Sequence, residues 1–243
     1  MKMLMFAKRT AKEILRDPLT FIFGLGFPVI LILLLSAIQS NVPTPMFQIE
    51  QLVPGISVFG LSFLTLFSAT LIAQDRQNEL FSRLCTTPMR PSDFILGYTL
   101  PILPMALIQS LICYLLGVIL GLQISVNGLI AALFIVPVSL LYIFIGLAAG
   151  SALTVKQVGG LCGALLTNVS AWLSGTWFDI SLVGSWFETI ARCLPFVHAV
   201  EAGRKILAGS TEGLGVNILV IAIYIVAFGA LSLFAFSKNM RRK

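Results

Sequence analysis

Six apolar runs, each near the length needed to cross a bilayer, constrain this chain more than any other feature. They lie at 19–38, 55–73, 96–120, 129–153, 158–178 and 214–236. A hydrocarbon core of about 30 Å takes roughly 20 helical residues. Inside it each backbone polar group must be satisfied within the segment, which favours helices. With 58% hydrophobic and only 11% charged residues, the composition is not that of a soluble domain. The expectation is an all-α integral membrane protein with six spans. Pro28, Pro101, Pro104 and Pro137 interrupt the runs, and kinks rather than breaks are expected there, because neighbouring helices can take up the freed carbonyls.

Positive charge predicts the topology, since Lys and Arg near span ends stay on the cytoplasmic side. Lys2, Lys8, Arg9, Lys12 and Arg16 precede the first run; Arg76, Arg83 and Arg90 lie between the second and third; Lys156 lies between the fourth and fifth; Lys238, Arg241, Arg242 and Lys243 follow the sixth. The intervening loops 39–54 and 121–128 contain neither Lys nor Arg. Both termini are therefore expected inside a multi-pass cell membrane protein. The net charge of +6 follows from this rule and from attraction to anionic lipids, so it gives no support to nucleic-acid binding. The first run is too long for a signal-peptide core and is expected to be retained.

Residues 1–17 place Met3, Leu4, Phe6, Ala7, Ala11, Ile14 and Leu15 among Lys8, Arg9, Lys12, Glu13 and Arg16 at roughly helical spacing. This predicts an amphipathic helix in the inner interface, turned into the first span at Pro18. Between the second and third runs, residues 74–95 are expected to form a cytoplasmic helical segment. Asp75, Gln77 and Glu79 suit a helix start, where the dipole favours negative charge. Leu80, Phe81 and Leu84 would form a stripe able to dock into a groove, and Pro91-Ser92-Asp93 offers a cap for the next helix. A plain charged loop obeying the positive-inside rule is the alternative.

Residues 179–213 are too apolar for a free external loop and too charged for a span. Two short helices that dip into the outer leaflet and turn at Pro195 fit this pattern, with Glu201 able to meet Arg204 or Lys205 at helical spacing. A surface hairpin is the alternative. His198, the single histidine, suits a hydrogen-bonded interface better than catalysis.

Several chemistries are disfavoured. No Gly-Lys dipeptide occurs, so the chain cannot contain a Gly-x-x-x-x-Gly-Lys-Ser/Thr phosphate loop. Cys85, Cys113, Cys162 and Cys193 form no Cys-x-x-Cys pair, and neither a disulfide framework nor a metal site is expected. The cores of the runs lack Asp, Glu, Lys, Arg and His, whereas an ion-coupled carrier needs such a group near the midplane. Gln109, Ser110, Thr167, Asn168, Ser170 and Ser174 can bond between helices or line a path. Gly117/Gly121, Gly146/Gly150 and Gly159/Gly163 permit close helix approach without choosing a partner.

Taken together, these features resemble the membrane subunit of an ABC-2 type exporter, over essentially the whole chain. The most specific parts are the basic start followed by Arg16-Asp17-Pro18, and Asp75-Arg76-Gln77-Asn78-Glu79-Leu80 through Thr86-Thr87-Pro88-Met89-Arg90. Leu173-Ser174-Gly175-Thr176-Trp177-Phe178, and Pro195 with Glu201 and Arg204, add support. Asn78 stands where many family members carry glycine.

The resemblance implies a non-catalytic permease that binds no cofactor, with ATP and Mg on a separate cytoplasmic P-loop ATPase. It further implies a second permease copy, identical or closely related. Asp75, Arg76, Glu79, Phe81, Arg83 and Leu84, supported by Arg9, Lys12 and Arg16, would couple to the ATPase. Phe59, Phe63, Phe67, Asn168, Trp172 and Trp177 would face the path, and the apolar cores imply a hydrophobic or amphipathic cargo such as a drug, antibiotic, lipid or lipid-linked glycan. The rivals are a stand-alone carrier or channel, and an intramembrane enzyme built on His198 with Glu188 or Glu201.

Overall fold

A computed structural model describes residues 2–43, 47–78 and 90–241. Among these residues all regular structure is helical. The helices are α1 (Lys2–Arg16), α2 (Pro18–Asn41), α3 (Ile49–Gln77), α4 (Pro91–Ile119), α5 (Val126–Ala152), α6 (155–173), α7 (Ser185–Cys193), α8 (Pro195–Ala208) and α9 (Leu214–Arg241). The chain is a multi-pass membrane protein: α2, α3, α4, α5 and α9 are each long and apolar enough to cross a bilayer.

The run expected at 158–178 folds as α6, which stops at Leu173 and is not among those five. Lys156, Gln157, Thr167 and Asn168 dilute its apolar length. It also passes through a π-helical stretch, Gly159–Leu166. Pro54, Pro101, Pro104 and Pro137 all lie inside continuous helices, and Pro28 follows a π-helical turn at Ile22–Gly26 in α2.

Helix α3 is the hub of the bundle, packed by α2, α4, α5, α6 and α8. Of its most apolar window 72% is buried, against 11% for α9, so α9 and much of α2 present their apolar surface outward. The closest contact is α3 against α5. A Cβ on Gly146 would stand 2.4 Å from the Thr65 carbonyl oxygen, and one on Gly150 2.3 Å from that of Ala69. The glycine pair thus serves a contact within the chain.

Buried hydroxyl groups fasten this seam. Thr65 Oγ1 donates to the Tyr142 carbonyl at 2.9 Å, and Ser68 Oγ reaches the Ile143 carbonyl at 3.4 Å. Tyr142 Oη and Ser170 Oγ, 2.9 Å apart, join α5 to α6. Ser110 Oγ donates to the Ala132 carbonyl at 3.0 Å and Gln109 Nε2 to the Ser57 carbonyl at 3.1 Å, tying α4 to α5 and α3. Cys113 and Cys162 are buried and free.

Candidate functional site

At one end of the bundle, α1 lies across the C-terminal end of α3 and the start of α4. The aromatic side of α1 makes the dock: Phe6 sits edge-on to Tyr98, with centroids 4.9 Å apart, and to Phe94 at 5.7 Å. Phe94 in turn meets Phe236 of α9 at 5.2 Å. Gly97 leaves the space that Phe6 fills.

Beside that dock lies a buried ionic junction. Arg9 donates Nη1 to Asp75 Oδ2 and Nη2 to Asp75 Oδ1, both at 2.7 Å. Tyr98 Oη donates to the same Oδ2 at 2.7 Å. Asp75 is 2% exposed, so its carboxylate is held by a two-pronged guanidinium and a phenol instead of by water. The bond to Asp75 raises the Arg9 pKa against the opposing effect of burial. Glu13, 3.0 Å from Arg9, is pushed up by burial and pulled back by Arg9.

This corrects the expectation that Asp75 and Gln77 begin an inner helix. They belong to the last turn of α3, where the helix dipole disfavours an acid. Arg9 and Tyr98 offset that penalty from two other helices. The next residue does the reverse: Arg76 donates Nη1 to the carbonyls of Gly150 at 2.9 Å and Leu153 at 3.1 Å, a cation on the open C-terminal carbonyls of α5. Lys12 and Arg16 are exposed on α1. Glu79, Phe81, Arg83 and Leu84 lie outside the described residues. Helix α4 begins at Pro91, with the Asp93 carboxylate accepting the Arg90 N–H at 3.0 Å.

The six expected path residues fall into two groups. Phe59, Phe63 and Phe67 follow one another at one-turn spacing on α3. Phe63 meets Phe27 at 5.2 Å and Phe23 at 6.1 Å, while Phe59 meets Phe27 at 6.3 Å and Trp177 at 5.4 Å. This makes a continuous aromatic seam between α2, α3 and the 174–178 turn. Asn168 and Trp172 lie elsewhere, on an exposed face of α6, where they line a shallow apolar cavity of about 390 Å³ with Trp186, Phe187 and Ile190 of α7. Asn168 turns its amide back to the Ala164 carbonyl at 2.8 Å.

At the opposite end, the chain breaks between α7 and α8 at Leu194, in extended conformation before Pro195. Both ring nitrogens of His198 are occupied: Nδ1 lies 2.9 Å from Asn217 Oδ1 and Nε2 2.9 Å from the Arg192 carbonyl. Glu201 lies 4.0 Å from Lys205 and 3.6 Å from Arg192. Arg204 does not join that group. Its Nε donates to the Gln51 carbonyl at 3.1 Å, in the first turn of α3, and its Nη2 to the Gly175 carbonyl at 3.0 Å, in the turn after α6. That turn needs Gly175 at φ +69°, and Thr176 Oγ1 secures it to the Gly55 carbonyl at 3.3 Å.

Tyr98, Asn217, Phe23 and Phe27 were not singled out from the sequence. Tyr98 and Asn217 carry a faint signal, each being a polar group near the end of an otherwise apolar run. Phe23 and Phe27 stand one helical turn apart and face the α3 phenylalanines, but pairing two aromatic stripes requires the fold.

The model of the ABC-2 type transporter family matches residues 2–208. Among curated proteins the chain is similar to "ABC transporter G family member 20" of Dictyostelium discoideum, with 27% identity over 209 residues. That match covers 79% of this chain and 28% of the relative, so the chain spans little more than a quarter of the protein it resembles. With the family model covering the bundle from α1 through α8, this chain belongs to the ABC-2 type transporter family.

Proposed function

We propose that the chain is the permease of an ATP-driven exporter, worked by a separate cytoplasmic P-loop ATPase that binds the ATP and Mg. The observation that carries this reading is the Arg9–Asp75–Tyr98 junction. It clamps α1 to the two helix ends that flank residues 79–89, so a force applied to that segment passes into α3 and α4 together. Glu79, Phe81, Arg83 and Leu84 would meet the ATPase directly. Arg9 and Asp75 would hold the lever to the bundle, Arg76 would pass its movement to α5, and Lys12 and Arg16 would rest at the headgroups.

In this reading α6 is a sixth span and both termini are cytoplasmic. The α7–α8 hairpin enters the outer leaflet, with Pro195, His198, Glu201 and Arg204 as its frame. A second copy or close paralogue completes the path. Phe59, Phe63, Phe67 and Trp177 would form one wall, and Asn168 and Trp172 another against the partner copy. Such walls suit a hydrophobic or amphipathic cargo taken from the cytoplasm or inner leaflet. Transport of a fluorescent amphiphile into inside-out vesicles should require both the ATPase and hydrolysable ATP; equal transport without nucleotide would favour a carrier or channel.

A further inference from the structure

A cavity of about 470 Å³ lies between α8, the first turn of α3 and the stretch 174–180, within the roughly 300–1,000 Å³ of small-molecule sites. Arg204 lines it and is fixed there by two carbonyls, Gln51 through Nε and Gly175 through Nη2. Those bonds use two of the five N–H groups of a guanidinium. The Nη1 amino group has no partner among the described residues. No carboxylate among them lies within 4.0 Å of Arg204, and Glu201 and Asp179 act on it only from farther away. The result is a half-buried cation, held rigidly, with one side uncommitted.

The other charged groups lining the cavity are Lys205, Glu201 and Asp179. Glu201 is already engaged: Asn217 Nδ2 donates to it at 3.4 Å, Arg192 stands 3.6 Å away and Lys205 4.0 Å. Asp179 is exposed, with Oδ1 accepting the Ser181 N–H and hydroxyl, and solvent screens its charge. Lys205 Nζ makes no hydrogen bond among the described residues. The half-buried groups left without a hydrogen-bond partner are thus donors, Nη1 of Arg204 and the ammonium of Lys205, so the complementary ligand is an acceptor. Phosphate and carboxylate suit a guanidinium best, because its planar N–H groups match their oxygens and the bond is charge-assisted. Phe47, Trp177 and Phe178 add apolar wall, and Trp177 also touches Phe59 at the end of the aromatic seam.

We infer that this cavity seats an oxyanion, a phosphate or carboxylate group, on Nη1 of Arg204 with Lys205 beside it. The headgroup of an amphiphile and free phosphate share this chemistry. As a seat it stands apart from the export reading; as a step in transport it rests on that reading, and would hold the head of an amphiphile at the outer end of the path.

The test uses the full chain in a maltoside detergent, without nucleotide or ATPase. The probe is dodecyl phosphate bearing a photoreactive diazirine at its tail. Labelled peptides are mapped with dodecyl phosphate, dodecanoate, dodecanol, dodecylamine or inorganic phosphate as competitor. Label is expected on the peptide holding Trp177 and Phe178, displaced best by the two anionic amphiphiles. Inorganic phosphate acting at the same concentration as dodecyl phosphate would support the seat and assign it to free phosphate. Arg204→Gln should reduce the preference for dodecyl phosphate over dodecanol by roughly tenfold, the size of a charge-assisted hydrogen bond. Arg204 also ties α8 to α3, so two variants that leave its carbonyl bonds in place decide the matter if this one fails to fold. Lys205→Gln should reduce the preference by roughly threefold. Asp179→Asn, which keeps an oxygen for the Ser181 N–H, should raise it by roughly twofold; both are the sizes of exposed charge interactions. Dodecanol displacing as well as dodecyl phosphate, strongest displacement by dodecylamine, label confined to other peptides, or a preference unchanged in both of these variants would each overturn the inference. Oxyanion-selective labelling without ATP-dependent transport would refute export and leave the seat standing; transport without oxyanion selectivity would do the opposite.

Discussion

Arg9 and Asp75, 66 residues apart in the chain, meet through two parallel hydrogen bonds of 2.7 Å each at the edge of the bundle. One comes from an amphipathic helix and the other from the final turn of the most enclosed span. Asp75 is buried while Arg9 is partly open, so the two ends of the pair are not equivalent.

Removing Arg9 strands a buried carboxylate, which costs about 3–5 kcal/mol when one partner of a buried pair is lost. Arg9→Ala should therefore lower the thermal midpoint in detergent more than Asp75→Asn. Arg9→Lys should restore only part of the loss, since an ammonium cannot make the two-pronged contact. Equal midpoints for Arg9→Ala and the parent would show that the junction contributes nothing to stability.

The α3–α5 seam should tolerate no added volume. Gly150→Ala places a methyl 2.3 Å from a backbone carbonyl oxygen, so one helix must move. Overpacking of this kind costs about 1–3 kcal/mol. Gly159→Ala, whose methyl meets open space, should leave the midpoint unchanged. Matched midpoints for the two variants would contradict the seam.

His198 and Asn217 should behave as one unit. Removing either leaves the other with a buried unpaired polar group, at about 1–3 kcal/mol. The double variant His198→Ala with Asn217→Ala should lose less than the two single losses combined. Transport per folded molecule should survive in all three. Abolished transport in a well-folded His198→Ala would restore a chemical role for this residue.

Asp179 gives a pH signature at the other end. Bonds from the Ser181 N–H and hydroxyl hold its carboxyl below the usual carboxylate range. A depressed folded pKa means the contribution is present above the unfolded value and lost as pH falls through the folded one. The protection of the Ser181 amide, its exchange rate set against the intrinsic rate at the same pH, should be high at neutral pH and fall as pH drops through the folded Asp179 value. In Asp179→Ala the Ser181 amide should be unprotected at both pH values.

The apolar runs made the all-helical membrane fold legible, because length and hydropathy are local properties. What escaped were relations between distant residues. Asp75 reads as a helix start when the dipole alone is weighed. Its place in the last turn of α3 depends on Arg9 and Tyr98, which no local window contains. Gly146 and Gly150 announce a close contact, but the Thr65 and Ala69 carbonyls that receive it belong to another helix. The run at 158–178 appears continuous by composition, yet Asn168 and the π-helical stretch before it leave α6 shorter and more polar than its neighbours. At the candidate site, the α3 phenylalanine stripe was visible as one-turn spacing, whereas its partners Phe23 and Phe27 emerge only when α2 is packed against it.

The most direct measurement is affinity purification of the tagged chain from its native membrane in mild detergent, with mass spectrometry of its partners, for the parent and for Glu79→Arg. The expected result is a P-loop ATPase that accompanies the parent and is lost from the variant while the bundle stays folded. Absence of any ATPase from the parent, even after gentle crosslinking, would contradict an ATP-driven permease.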